Sequence, residues 1–266
     1  MHAPSSNLPT SRPPTQDLPG IAADIFARLR ARRPRVHCIT NSVAQNFTAN
    51  VLLAVGAVPS MTVAPDEIAQ FVARADALLV NLGTLSEDRK MAAEIAISRA
   101  QDEGRPWVLD PVFVDRSAPR TVFAKALVAR KPWAIRLNGA EFAALADAAP
   151  EDAALKGYVL KHQGVIALTG ATDVVTDGGR FAKLANGDPL MGQVTAMGCA
   201  GAAVVTACLA VEADVWLATI AGLSAFAIAG ECAAERSGGP GSFAVAFIDA
   251  LAGLERDTLR VRARIA

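Results

Sequence analysis

Residues 195–199, Thr-Ala-Met-Gly-Cys, form a turn of mostly small residues before a long apolar segment that is typical of a helix. The first turn of a helix exposes backbone N–H groups without partners and carries the positive end of the helix dipole. The turn therefore predicts a site for a phosphate group or a developing anion. Cys199 stands in this turn, and it is interpretable as a packed small residue, a metal ligand or a thiol of lowered pKa. On residue types alone, packing is favoured.

Polar residues also follow five predicted strands, at the point where each strand ends. In an open α/β sheet, ligands gather at the carboxyl ends of the strands. Each of these residues alone is typical of a helix cap or a turn, but five such strand ends at one edge predict a pocket. The residues are Thr40-Asn41, Asn81 to Thr84, Asp110-Pro111, Asn138 with Glu141, and Thr169-Gly170.

Asp110 and Glu141 are the two carboxylates among these strand ends. Mg²⁺ is bound by few protein carboxylates together with waters and substrate phosphates, which this pair can supply. Alternatively, Asp110 caps a turn and Glu141 stabilises the first turn of its helix. Arg136 is either a clamp for a nucleotide phosphate or a solvated residue at a strand end. His37, inside a predicted strand, is expected to be a hydrogen-bonded core histidine.

The elements that position these residues alternate along the chain. Buried strands are predicted at residues 36–40, 77–80, 107–109, 134–137 and 164–168, with helical patterns at 42–56, 91–103 and 138–146 between them. This alternation predicts a mainly parallel sheet. Two short runs, 173–176 and 180–184, then predict a hairpin, and 201–211, 213–236 and 242–256 predict helices. The fold class is therefore α/β, with a late β-hairpin and a helical C-terminal third.

Composition excludes several classes of partner. The 266 residues carry no net charge, which argues against binding nucleic acid or an anionic membrane. The four cysteines are scattered, which is typical of a reduced, cytoplasmic protein. Residues 215–230 are uncharged but shorter than the roughly 20 residues a membrane span needs, so we expect a core helix. Residues 1–20, rich in Pro and Ser, are predicted to be a disordered tail, and 21–266 a single domain.

Seven segments occur in an order that resembles the hydroxyethylthiazole kinases, thiamin-salvage members of the ribokinase-like kinases. They are VHCITNSVAQNFTANVLLAVGAVPSM, LLVNLGTL, VLDPV, RLNGAEFAAL, VIALTGATDVVTDGG, NGDPLMGQVTAMGC and GPGSF. The resemblance implies a ribokinase-like three-layer α/β/α fold and a homotrimer with sites between subunits. It also implies ATP- and Mg²⁺-dependent phosphorylation of the primary alcohol of 5-(2-hydroxyethyl)-4-methylthiazole.

The resemblance implies a role for individual residues on the acceptor side. Asn41 and Met61 match positions that bind the thiazole, and Gly198 and Cys199 match positions near its hydroxyl. Related sugar kinases carry an Asp base where this family carries the Cys. Because phosphoryl transfer needs little base strength, Cys199 is expected to orient the alcohol more than to deprotonate it.

On the nucleotide side, Arg136 and Thr169 match positions that contact ATP, and Asp110 and Glu141 match carboxylates associated with Mg²⁺. The backbone of residues 196–199 is the implied anion hole for the transferred phosphoryl group.

The chain departs from the family pattern mainly on the phosphate side. Ala196 and Met197 replace a Gly and a small hydroxyl residue, and Ala196 would be strained if the position needs a positive φ. Phe113 to Arg116 replace a Gly-rich turn, where Asp115 and Arg116 either make new polar contacts or pair with each other. Leu137 stands where Gly is usual, and the short stretch 147–163 is expected to lack a surface helix. The departures leave two alternatives, namely a kinase of another heterocyclic alcohol such as a hydroxymethylpyrimidine, or a catalytically weak ligand-binding homologue.

Overall fold

The computed structural model describes residues 17–266, and within them the chain forms one eight-stranded sheet of order β2-β1-β3-β4-β5-β6-β7-β8. Strands β1 to β6 are joined by parallel pairings, whereas β7 and β8 are antiparallel additions. The parallel sheet and the late hairpin are thus as predicted. The strands are β1 Arg35–Ile39, β2 Val58–Ser60, β3 Ala77–Asn81, β4 Trp107–Asp110, β5 Ala134–Asn138, β6 Val165–Thr169, β7 Asp173–Thr176 and β8 Phe181–Leu184.

Alternate strand residues enter two separate hydrophobic cores, one on each face of the sheet. In β3, Leu79 lies in the first core, while Leu78 and Val80 lie in the second. Successive side chains of a strand point to opposite faces, so a parallel sheet covered on both faces needs apolar residues at odd and even positions alike. This explains the continuous apolar runs of its strands. The three-layer α/β/α fold class is therefore confirmed.

Helices cover the two faces unequally. The first core is covered by α1 Leu18–Arg32, α2 Gln45–Ala54, α8 Met197–Leu209, α9 Val215–Ala234, α10 Pro240–Ala252 and α11 Arg256–Arg262. The second core is covered by α3 Ile68–Ala73, α4 Glu87–Asp102, α5 Ala118–Val128, α6 Gly139–Ala146 and α7 Asp152–His162.

Helix α9 contains the apolar segment that is long enough to resemble a membrane span. It has 20 residues, but 78% of its most apolar window is buried inside the protein. It packs against α1, α8 and α10, so the expected core helix is confirmed.

Three details differ from the sequence-based expectations. Helix α1 begins at Leu18, because Asp17 caps it by accepting a hydrogen bond from the Gly20 N–H, so residues 18–20 are not part of a tail; residues 1–16 lie outside the described residues. Helix α7 occupies the stretch that was expected to lack one. The helix predicted at 242–256 ends at Ala252, followed by Gly253 and a separate α11.

The crossing of α8 and α9 gives a stability prediction. A Cβ added to Gly222 of α9 would lie 2.7 Å from the Val205 Cα of α8, whereas one added to Gly157 of α7 would meet no atom within 4 Å. We expect Gly222→Ala to lower the free energy of unfolding by about 1–3 kcal/mol through overpacking. The control Gly157→Ala should raise it by about 0.5–1 kcal/mol through helix propensity. Urea denaturation measures both, and a change of the same sign in the two variants would contradict the prediction.

Candidate active site

The candidate site lies where four neighbouring strands end on the face covered by α8. On each strand, the polar residue comes two positions after a residue of the first core, so its side chain belongs to the same face. The pairs are Leu79 and Asn81 in β3, Val108 and Asp110 in β4, Ala134 and Arg136 in β5, and Ala167 and Thr169 in β6. Because the four side chains share one face at neighbouring strand ends, they lie together under the N-terminus of α8.

A chain of buried hydrogen bonds links the thiol of Cys199 to the carboxylate of Asp110. Asn41 Nδ2 donates to Cys199 Sγ at 3.1 Å and to Asn81 Oδ1 at 3.2 Å. Asn81 Nδ2 in turn donates to Asp110 Oδ2 at 2.6 Å. The structure thus brings Asn41, Cys199 and Asp110 together through Asn81. From the sequence, Asn81 is only a polar residue at a strand end, with no predicted role.

Backbone N–H groups fix the donor-to-acceptor direction of these side-chain hydrogen bonds. The Ala44 N–H donates to Asn41 Oδ1 at 2.9 Å, and the Gly83 N–H donates to Asn81 Oδ1 at 3.0 Å. Each amide must therefore turn its NH₂ group toward the next acceptor. Cys199 Sγ accepts from Asn41, which leaves the thiol hydrogen free to point elsewhere.

Asp110 is a fully buried carboxylate with an incomplete set of partners. Its Oδ1 atom has no hydrogen-bond partner in the described part of the chain. Burial, together with repulsion from Glu141, raises the pKa of Asp110 to about 7, although the Arg136 guanidinium opposes the rise. A buried, unpaired carboxylate oxygen is costly unless a cation or a water binds it.

Glu141 is a helix cap in this structure. Its Oε2 accepts from the Asn138 N–H at 2.9 Å, and the Asn138 side chain accepts from the Glu141 N–H at 2.9 Å, which together form a capping box. Its Oε1 accepts from the Phe113 N–H at 3.1 Å. Both carboxylate oxygens thus accept hydrogen bonds from backbone N–H groups. Of the two sequence-based alternatives for Glu141, stabilisation of the first turn of its helix is observed.

Helix α8 begins with an uncapped first turn. Its N-cap residue Ala196 has φ 72° and ψ −5°, and no side chain in residues 17–266 caps the helix. The strain expected for a non-glycine residue here is therefore present, at a cost of about 1–3 kcal/mol. The N–H groups of Met197, Gly198 and Cys199 lie in the first turn, where a helix offers no carbonyl partner.

Arg136 lies against this turn. A Cβ on Gly198 would be 2.8 Å from Arg136 Nη1, so only glycine lets the guanidinium approach the helix so closely. The Arg136 Nε atom is buried without a hydrogen-bond partner among residues 17–266. A cation beside the positive end of a helix favours binding of an anion between them.

A cavity of about 600 Å³ opens beside Arg136 and Gly198. It is also lined by Met197, by Thr169, whose hydroxyl donates to the Leu137 carbonyl at 3.3 Å, and by Asp173. Its apolar wall includes Met191, Leu223 and Phe226. No role is predicted for these three from the sequence: Leu223 and Phe226 are expected only as apolar residues of a core helix, and Met191 belongs only to a segment of the family resemblance. The size suits a nucleotide or a similar ligand.

Asn41, Met61 and Cys199 do not line this cavity. Asn41 follows β1 and Met61 follows β2, so both lie at the carboxyl edge of the sheet, separated by β3 and β4 from the strand β5 that carries Arg136. Met61 is half-buried and packs against the first core.

The possibility of a lowered pKa for Cys199 is wrong. Burial and the nearby Asp110 carboxylate raise the pKa of this thiol to about 11, despite its place in the first turn of α8. The other cysteines, Cys38, Cys208 and Cys232, are free as well. Cys199 is therefore a protonated thiol at neutral pH.

The turn after β4 also differs from a glycine-rich one. Phe113 has φ 61°, a left-handed conformation that glycine favours. Asp115 and Arg116 pair with each other at 3.6 Å, and Arg116 also stacks 5.4 Å from the centre of the Phe113 ring. Of the two alternatives for this pair, the structure shows mutual pairing.

Comparison with known proteins gives consistent matches. The model of the hydroxyethylthiazole kinase family matches residues 26–257. A hydroxyethylthiazole kinase of Klebsiella pneumoniae (strain 342) is 47% identical over 246 residues, which cover 88% of this chain and 95% of that protein.

Solved structures agree with this match. The hydroxyethylthiazole kinase protein of Pyrococcus horikoshii OT3 superposes with a TM-score of 0.88 at 35% identity, covering 92% of this chain and 98% of that one. A ribokinase-like superfamily protein of Enterococcus faecalis V583 has a TM-score of 0.67 at 12% identity, covering 88% and 95%, and supports the fold alone.

The raised pKa of Asp110 predicts a pH-dependent stability. Between the ordinary carboxyl pKa near 4 and a folded-state pKa of about 7, the folded protein binds more protons, so stability is lost as the pH rises through this window. In buffer without Mg²⁺, Asp110→Asn should unfold at higher urea than the wild type at pH 7.5, and the difference should shrink toward pH 4.5. Asp66→Asn, at an exposed carboxylate, is the control. A difference independent of pH would contradict the prediction.

Proposed function

The chain belongs to the hydroxyethylthiazole kinase family, and we propose that it transfers the γ-phosphoryl group of ATP to the primary alcohol of 5-(2-hydroxyethyl)-4-methylthiazole, a step of thiamin salvage. The observation that carries this proposal is the Arg136 guanidinium beside the uncapped first turn of α8, at the mouth of a cavity of nucleotide size. The proposal favours the family's own alcohol over the pyrimidine alternative and over a weak binding homologue.

We propose that the nucleotide binds in the cavity of about 600 Å³. Its base and ribose would lie against the apolar wall near Phe226, with Thr169 nearby, and its phosphates would reach Arg136 and the α8 turn. Backbone N–H groups of residues 196–199 would act as the anion hole for the transferred group. These donors are held by a buried helix, so they need little rearrangement when negative charge develops.

We propose that the acceptor alcohol binds between Asn41 and Met61, which follow β1 and β2. There the alcohol oxygen would form a bond to the γ-phosphorus, the bond from that phosphorus to the bridging oxygen of ADP would break, and the alcohol proton would pass to an oxygen of the transferred phosphoryl group. Because the Cys199 thiol stays protonated at neutral pH and is held by Asn41, it orients the hydroxyl and does not take its proton.

Mg²⁺ is assigned to Asp110. The unpaired, buried Oδ1 atom of Asp110 fits a cation, and an ion held by one carboxylate, waters and phosphate oxygens is typical of Mg²⁺. Glu141, whose oxygens already accept two backbone N–H groups, keeps lone pairs for a water of that ion. When bound, the ion would neutralise charge on the phosphate groups.

We also propose a cytoplasmic homotrimer. Free cysteines suit a reducing compartment. Strand β2 is at the open edge of the sheet, where Val58 is 41% and Phe71 is 40% exposed, and both line a recess of about 210 Å³. We assign the subunit interface to this edge because a strand edge and an apolar recess coincide there.

The trimer gives a prediction about mass. Light scattering after size exclusion should give three times the 27.6 kDa of one chain. Val58→Glu, which places a charge at the exposed edge, should lower this mass, whereas Val261→Glu, at an 84% exposed residue of α11, should leave it unchanged. A monomeric wild type would contradict the proposal.

The reaction itself is tested by ADP release. With Mg-ATP, the wild type should release ADP in the presence of the thiazole alcohol and much less with a hydroxymethylpyrimidine. Cys199→Ala should lower kcat by less than about 10²-fold, because loss of an orienting thiol costs less than loss of a general base. The control Cys232→Ala, at a half-buried cysteine of α9, should keep the wild-type kcat. No stimulation of ADP release by the thiazole alcohol would refute the function, and a larger loss in Cys199→Ala would refute the orienting role.

A further inference from the structure

One histidine ring makes hydrogen bonds to both residues that flank Met61. His37 lies in β1 and is fully buried. Its Nδ1 atom is 2.8 Å from Ser60 Oγ, and its Nε2 atom is 3.1 Å from the Thr62 carbonyl oxygen. One side chain thus holds the residues immediately before and after Met61.

The chemistry of these contacts fixes the state of the ring. A carbonyl oxygen only accepts, so Nε2 carries the hydrogen and Nδ1 accepts from the Ser60 hydroxyl. Burial lowers the pKa of His37 to about 4, so the ring is neutral under physiological conditions. His37 is therefore a hydrogen-bonded core histidine, as expected from the sequence, and its partners are the two residues that flank Met61.

Met61 packs against the first core, but the segment around it makes few other hydrogen bonds within residues 17–266. Strand β2 has three residues and pairs with β1 on one side, and no strand pairs with its other edge among residues 17–266. After Ser60 the chain leaves the ladder, and the next contacts are the Thr62 hydroxyl with Glu67 and the Ala64 N–H with Thr62 Oγ1 at 3.4 Å. Those bonds hold the far end of the segment, whereas the two bonds of His37 hold the residues on either side of Met61.

We propose that His37 is a positioning residue that sets Met61 against the acceptor alcohol and thereby determines the affinity for that alcohol. The inference rests on the proposed function, since it takes Met61 to contact the thiazole. A histidine that served only to stabilise the fold would affect the binding of both substrates, or of neither.

The test compares His37→Leu, His37→Gln and a matched control. His37→Leu removes both bonds, whereas His37→Gln keeps an N–H donor close to the position of Nε2. The control Trp216→Phe removes another buried bond of the same kind, from the Trp216 ring N–H to the Val175 carbonyl at 3.0 Å, on α9 and β7. We expect His37→Leu to raise the KM for the thiazole alcohol about tenfold, with kcat and the KM for ATP within about twofold of wild type. His37→Gln should recover part of the loss, and Trp216→Phe should change neither KM.

Calorimetric titration of the thiazole alcohol, without ATP, measures the same effect independently of turnover. A wild-type protein that binds and phosphorylates this alcohol, with an unchanged acceptor KM in both His37 variants, would overturn the inference and leave the function standing. Equal changes in kcat and both KM values would also overturn it, since they indicate a structural role. If His37→Leu does not fold, His37→Gln alone decides between these outcomes. A wild type that neither binds nor phosphorylates the alcohol would refute the proposed function itself.

Discussion

The position of α8 across the ends of the central strands is the constraint on which the site depends. Its N-terminus has no capping side chain within residues 17–266 and begins from a left-handed alanine. The missing cap costs roughly 1 kcal/mol and the backbone conformation roughly 1–3 kcal/mol. Burial of Val204, Val205 and Leu209 stabilises the helix by roughly 1.5–3 kcal/mol for each side chain. Core packing therefore outweighs the cost of the open turn, and the helix keeps N–H groups available to a ligand.

The buried hydrogen bonds that link Cys199 to Asp110 beneath α8 follow from the same constraint. Asparagine and aspartate side chains at the strand ends are taken out of water by the helix above them, so each must find a partner in the protein. Backbone N–H groups of Ala44 and Gly83 orient the two amides and leave Asp110 as the terminal acceptor. Because every link depends on the one before it, the thiol and the carboxylate are held as one unit, although they come from elements far apart in sequence.

The sequence predicts the strands, the hairpin and most polar strand ends because these depend on local pattern. It leaves α1, β2, α3 and α5 unassigned, since their patterns are short or mixed. It does not give Asn81 a role, since that requires knowing which face of β3 meets α8. The raised pKa of Cys199 could not be predicted, because it results from burial and from the nearby Asp110, neither of which is visible in the sequence. For Glu141, the Asn138-x-x-Glu141 spacing already contained the capping-box signal.

At Ala196 and Phe113 the chain departs from the glycine-rich pattern of the family, but the backbone keeps a conformation that glycine would adopt. Ala196 and Phe113 both adopt the left-handed conformation that glycine would take without strain, with φ values of 72° and 61°. In that conformation the Phe113 N–H still reaches Glu141, and the first turn of α8 after Ala196 still lies against Arg136. An anion hole made of peptide N–H groups depends on backbone shape and not on the side chain at each position. The substitutions at Ala196 and Met197 are therefore compatible with phosphoryl transfer, since the groups that would stabilise the transferred charge stay in place.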